Sequence, residues 1–64
     1  MRPIRPASPR DALAIAHAVT LLAEARSCLC LAGAPRAYAA AQRALKSAEG
    51  AQRHVRHRLA RTAA

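Results

Sequence analysis

A heptad pattern runs through the second half of the chain and constrains its fold more than any other feature. From Tyr38 to Thr62, mostly apolar or small residues recur at alternating steps of three and four, the spacing of a helix that packs along one edge. These positions are Tyr38, Ala41, Leu45, Ala48, Gln52, Val55, Leu59 and Thr62. The pattern predicts one long helix over about residues 35–62.

The first half of the chain predicts a second helix with clear start and stop signals. Ser8, Pro9 and Asp11 have the order of a capping box with proline at the first helical position. Gly33 is typical of the end of a helix, and Pro35 is typical of the start of the next one. We therefore expect helix 1 over about residues 9–32 and a turn at 33–34. Two helices joined by so short a turn must fold back as an antiparallel hairpin.

Residues 1–7 have a different character from the rest of the chain. Pro3 and Pro6 oppose helix formation, and Arg2 and Arg5 add positive charge. We expect a disordered, basic, proline-rich tail at 1–7, followed by a helical hairpin over 8–64.

Helix 1 carries two apolar stripes, of which helix 2 can cover only one. One stripe includes Ile15, Val19, Leu22 and Leu29, and its neighbour is richer in alanine. The core is thin, because 19 residues are alanine and neither Phe nor Trp occurs. We therefore predict an all-α fold in which two hairpins form a homodimeric four-helix bundle. Its core and dimer seam would include Ile15, Val19, Leu22, Leu29, Tyr38, Leu45, Val55 and Leu59.

Gly50 leaves a helix-turn-helix open as an alternative. Glycine costs about 1 kcal/mol relative to alanine inside a helix, so it could divide helix 2. However, no Ser, Thr, Asp or Asn follows as a cap, and the heptad continues without a phase shift. We therefore expect helix 2 to be continuous. A ribbon-helix-helix is less favoured still, because the proline-rich tail cannot supply a strand.

The cysteines and the apolar segments bear on the compartment. Cys28 and Cys30 point about 200° apart on a helix, so they cannot bridge each other, and a reducing cytoplasm is expected. No run reaches the roughly 18 uninterrupted apolar residues of a spanning helix, so no membrane span is expected. A signal or transit peptide remains an alternative, because arginines precede the apolar run at 12–23.

The polar residues do not favour catalysis or metal binding. The chain has three carboxylates, of which Asp11 has a capping role and Glu49 precedes Arg53 at the spacing of an i,i+4 ion pair. No glycine-rich phosphate loop occurs. Zinc sites commonly have two to four residues between paired Cys ligands, whereas a single residue separates Cys28 from Cys30. We expect no enzyme activity, cofactor, metal or small-molecule substrate, and we expect Cys28 to be a small buried residue.

The charge distribution carries the main functional signal. The net charge is +8, and helix 2 carries seven cations against Glu49, whereas helix 1 is neutral. Arginine outnumbers lysine ten to one, which favours bidentate contacts to phosphate. We predict a small regulatory or accessory protein that binds the backbone of duplex DNA or structured RNA. The contact residues would be Arg36, Arg43, Lys46, Arg53, His57, Arg58 and Arg61.

A protein-interaction module is the alternative function. An adaptor or inhibitor could dock a partner through the apolar face of helix 1, or an acidic partner through helix 2. A membrane-surface role is less favoured, because the apolar faces lack Trp and Phe.

Overall fold

The described part of the chain, residues 8–63 of a computed structural model, forms two packed helices. Helix α1 spans Pro9–Leu31 and helix α2 spans Pro35–Ala63. No strand occurs between residues 8 and 63, so the prediction of an all-α helical hairpin is confirmed. The tail predicted for residues 1–7 lies outside the described residues.

The start of α1 is fixed by reciprocal hydrogen bonds. The Asp11 backbone N–H donates to the Ser8 hydroxyl at 3.2 Å, and the Ser8 N–H donates to the Asp11 carboxylate at 3.1 Å. Pro9 occupies the first turn, where its missing N–H has no intrahelical acceptor to lose. The predicted capping box is therefore confirmed.

The turn after α1 is a glycine-dependent Schellman motif. Gly33 adopts a φ of +67°, which a residue with a side chain rarely tolerates. Its N–H donates to the Cys30 carbonyl, and the Ala34 N–H donates to the Leu29 carbonyl, both at 3.1 Å. The Ala34 carbonyl then accepts from the Tyr38 N–H, so the second helix starts almost at once. This tight reversal makes the two helices antiparallel.

The heptad of α2 forms the contact with α1. Leu45 is the one buried side chain in the described residues, at 5% exposure, and it lies midway along α2. Val55 and Leu59 extend the contact toward the C-terminal end, and both are half-buried. The core is therefore a single line of side chains between two helices.

Helix α2 continues through Gly50 without a break. The helix-turn-helix alternative is thereby excluded for this segment. A Cβ added at Gly50 would lie 3.8 Å from the Arg53 Nη2, which is an ordinary contact. The glycine is consequently not required by local crowding.

The hairpin has two unlike broad sides. On one side, a surface groove is lined by Leu13 and Ala16 of α1 together with Gln52 and Arg56 of α2. We call this the groove side. On the opposite side, each residue comes one position before a residue of the α1–α2 contact. It therefore lies about 100° around its helix from that contact. We call the uncharged part of this side the apolar side, and its members, all exposed, are Ala14, Ala18, Leu21, Ala25, Cys28, Ala32, Ala37, Ala40, Ala44, Ser47 and Ala51. Beyond it, the same side of α2 continues with His54, Arg58 and Arg61.

Candidate nucleic-acid interface

The predicted phosphate-binding residues occupy the outer edge and the C-terminal half of α2. Arg36, Arg43 and His57 are separated by seven and fourteen residues, so they lie on one face of α2. This face is the outer edge of α2, opposite its contact with α1. Lys46 and Arg53 lie next to this edge on the groove side. All five are exposed. The basic residues therefore form a band about 37 Å long from position 36 to position 61, at 1.5 Å per residue.

The densest positive charge lies between residues 53 and 61. This segment contains four arginines and two histidines and no carboxylate. Arg53, Arg56, His57 and Ala60 together line an open surface groove. Their spacing of three, one and three residues places them on one helical face, so two guanidinium groups and an imidazole surround a shallow depression. We call these four residues the basic groove.

Arg56 was missing from the predicted contact set. The structure shows that it is exposed and lines both the basic groove and the groove between the helices. The spacing of Arg53, Arg56, His57 and Ala60 was a signal that could have identified it from sequence.

Arg58 differs from the other predicted cations. It is half-buried and already interacts with another group of the chain. Arg61 is exposed near the end of α2, where cations are favoured by the helix dipole. The two residues were predicted as equivalent contacts, but the structure places only Arg61 fully at the surface.

The expected pair between Glu49 and Arg53 is not formed in the structure. Both side chains are exposed, and the Arg53 guanidinium lies back over Gly50 instead. An exposed i,i+4 pair is worth only about 0.3–0.5 kcal/mol, so little stability is lost. Arg53 is consequently available to a ligand.

The predicted seam residues lie mainly within the hairpin itself. Leu45 is buried, and the large aliphatic side chains are half-buried between the helices. They are Ile15, Val19, Leu22, Leu29, Val55 and Leu59. Tyr38 is different, because it is 37% exposed at the turn, where it lines a groove with Leu29 and Cys30.

Cys28 is not a buried apolar residue, as the sequence had led us to expect. Both Cys28 and Cys30 are exposed, free thiols. The reason is that Cys28 belongs to the second stripe of α1, which α2 does not cover. Cys30 lies on the groove side, so the two thiols point to different sides of the hairpin, as their i,i+2 spacing predicted.

Arg26 joins the two helices rather than contributing to the basic band. It is half-buried, and its Nη1 donates a hydrogen bond of 2.9 Å to the Gln42 Oε1. The sequence alone did not identify Gln42 as the acceptor. The numbers of this pair sum to 68, as do those of Ala16 and Gln52 in the groove between the helices, so residues whose numbers sum to about 68 lie near the same height of the hairpin.

Helix α1 is long and apolar enough to cross a membrane, by length and composition alone. A helix of 23 residues spans about 35 Å, slightly more than a hydrocarbon core. Its two hydroxyls, on Thr20 and Ser27, donate to carbonyls of their own helix at 3.2 Å. Core helices of soluble proteins and signal sequences share this property. The expectation of no membrane span stays a prediction.

Comparison with known proteins adds no constraint on function. No protein-family model matches the chain, and neither a curated protein nor a solved structure shows significant similarity to it. Within residues 8–63, no three His, Cys, Asp or Glu side chains come together in a group that could hold a metal ion. The basic band and the apolar side are therefore the two surfaces from which a function can be argued.

Proposed function

We propose that this protein is a small, non-catalytic regulatory or accessory protein that binds the backbone of duplex DNA or structured RNA. The observation that carries the proposal is the basic groove. Arg53 and Arg56 project there with His57, with no carboxylate between residues 50 and 61. Guanidinium groups bind phosphate in a bidentate fashion, and an unopposed set of them attracts a polyanion at long range.

The shape of the surface favours contact with phosphates over contact with bases. The chain has one aromatic residue, Tyr38, which lies at the turn and outside the basic band. Single-strand binding commonly relies on stacking of bases on aromatic side chains. The band is also convex and about one duplex turn long, which suits a helical backbone. Binding would therefore be largely independent of sequence.

The same proposal includes a homodimeric four-helix bundle. The described hairpin buries one side chain and leaves Leu21 at 52% exposure on the apolar side. Leu31 is 90% exposed. Association of two hairpins would cover part of this surface and would supply a second helical layer for the core.

Binding is tested with a duplex labelled for fluorescence anisotropy, measured over a series of salt concentrations. The variant Arg53→Ala/Arg56→Ala removes two phosphate contacts, so the slope of log affinity against log salt should fall by about two. Unrelated sequences should be affected equally. Absence of duplex or folded-RNA binding by the native protein at low salt would exclude the proposed function.

The matched control is Arg10→Ala. Arg10 is exposed and lies near the same end of the hairpin, but it is on α1. Its replacement changes the net charge without touching the basic band. The salt slope should therefore stay close to that of the native protein. A decrease equal to that of a single band arginine would indicate that only total charge matters.

A protein-interaction module is the second candidate. The exposed apolar side favours it, because patches of this kind mark interfaces. A heterologous partner could dock there, or an acidic partner could dock on α2. Light scattering separates the candidates: a stable homodimer favours the first proposal, whereas a monomer that copurifies stoichiometrically with another protein favours the second.

A further inference from the structure

We infer that the apolar side pairs with the apolar side of a second copy in a head-to-tail arrangement, with the turn of one chain beside the chain ends of the other. This places α2 next to α2 of the partner and joins both basic bands along one edge of the bundle. The inference deepens the proposed dimer by assigning its surface and its orientation. The duplex-length consequence given below rests on the proposed nucleic-acid function.

The position of the apolar side is the first argument. In a four-helix bundle each helix packs against two neighbours, and these neighbours lie in directions roughly 90° apart around its axis. The second stripe of α1 is offset by one residue from the stripe that contacts α2, hence by about 100°. In an antiparallel hairpin the same offset on α2 points to the same side. The uncovered surfaces of both helices therefore form one flat layer.

The two helices offer uncharged strips that are centred at the same height. The strip on α1 runs from Ala14 to Ala32, with its midpoint at residue 23. The level of residue 23 corresponds to residue 45 on α2, because Arg26 and Gln42 share a level. The strip on α2 runs from Ala37 to Ala51, with its midpoint at residue 44. A two-fold axis at this height therefore covers both strips together.

The chemistry and the area of this surface favour a second copy as the occupant. The apolar side is free of charged residues over both strips, so it is complementary to itself. Its small side chains permit helix axes to approach within about 8 Å. It measures roughly 24 by 20 Å, so two copies would bury about 1,000 Å² in total, which is near the lower limit for specific interfaces. A concentration-dependent dimer is expected.

Charge decides between two possible two-fold arrangements. If both turns lay at the same end, the two arginine-rich segments at 53–61 would also share an end, with eight arginines close together. In the head-to-tail arrangement, the two-fold axis lies at the height of residue 45 on α2. His57 and the partner's His57 are therefore separated along the helices by the rise of 24 residues. This is about 36 Å at 1.5 Å per residue, several Debye lengths at physiological salt. Repulsion therefore favours head-to-tail.

The same arrangement predicts a ligand dimension. His57 and the partner's His57 would lie about 36 Å apart along this edge, measured parallel to the helices, which matches the 34–36 Å of one turn of duplex DNA. A duplex longer than one turn could contact both basic bands at once. Affinity per site should consequently rise by about 100-fold or more when duplex length passes from half a turn to two turns.

Engineered disulfides test the orientation without nucleic acid. Head-to-tail pairing places Cys28 opposite Ala18 of the partner subunit. The two α1 helices then face each other about residue 23, so the numbers of opposed residues sum to about 46. Pairing with both turns at one end places it opposite Ala40 of the partner subunit instead. In a Cys30→Ser background, Ala18→Cys should form a covalent dimer at least about tenfold faster than Ala40→Cys. Both sites are exposed in the hairpin, so the substitutions should not disturb the fold.

The outcomes are distinct. Faster cross-linking through Ala18→Cys supports the inference, and faster cross-linking through Ala40→Cys overturns it. Comparable rates in both variants, or no covalent dimer in either, also overturn it. None of these results depends on duplex binding, so failure of the proposed function and failure of this inference are separable.

A charge substitution tests the surface itself. Leu21→Glu places two symmetry-related carboxylates in the interface, so the dimer dissociation constant should rise by at least about 100-fold. Leu13→Glu is the matched control, because Leu13 is 72% exposed on the groove side. Light scattering over a concentration series should show a dimer for the control. Equal behaviour of both variants, or flotation of the native protein with neutral lipid vesicles in place of dimerisation, overturns the assignment.

Discussion

Leu45 is the residue whose loss should destabilise the hairpin most. It is 5% exposed and lies midway along the contact between α1 and α2. Leu→Ala substitutions in protein cores cost about 2–5 kcal/mol, and the cost increases with the cavity that remains. A layer of two helices can collapse around the gap, so we expect the lower part of this range, about 2–3 kcal/mol. A single core in a chain of 64 residues rarely supplies more than about 3–5 kcal/mol of stability.

Leu45→Ala should therefore remove about half of the free energy of unfolding. The midpoint of thermal unfolding, followed by circular dichroism, should fall by roughly 10–20 °C. Native and variant proteins must be compared at one concentration, because a dimer has a concentration-dependent midpoint. Leu31→Ala is the control, since Leu31 is 90% exposed, and it should change stability by less than about 0.5 kcal/mol. Equal midpoints for the two variants would refute the assigned core.

Three further substitutions test local features of the hairpin by urea or thermal unfolding. Gly50→Ala should stabilise the protein by about 1 kcal/mol, because α2 is continuous there and the added Cβ meets no clash; a lower midpoint would contradict this. Ser8→Ala removes the capping hydroxyl and should cost about 1 kcal/mol, whereas an unchanged midpoint would show that the cap contributes nothing. Arg26→Ala and Gln42→Ala should each cost about 1 kcal/mol. Their double variant should cost less than the sum, and strict additivity would argue against the observed hydrogen bond.

Local chemistry made the ends of the helices predictable. Ser8 and Asp11 form the capping box because their spacing brings each side chain to the other's backbone N–H. Gly33 ends α1 because it alone in that segment adopts a positive φ without strain. Such features depend on neighbours within a few residues, so sequence is sufficient to identify them. The heptad of α2 was equally informative, because its periodicity directly defines one face.

Features that depend on the partner helix were harder to predict. Cys28 was expected to be buried because cysteine is usually buried and its stripe is apolar. It is exposed because a single neighbouring helix covers only one stripe of α1. The role of Gln42 was missed for a related reason, since only the register of the hairpin brings it to Arg26. Sequence periodicity gives the faces of each helix but not the pairing of individual side chains across them.

Side-chain volume explains which stripe of α1 faces α2. The covered stripe contains Ile15, Val19, Leu22 and Leu29, whereas Leu21 is the one large aliphatic residue in the exposed stripe. Full burial of each large aliphatic side chain is worth about 1.5–3 kcal/mol, so pairing the bulky stripe within the chain is favoured by several kcal/mol. The alanine-rich stripe is left over and gains less from being covered. The hairpin contact should therefore be the stronger one, and association through the apolar side should be weaker and dependent on concentration.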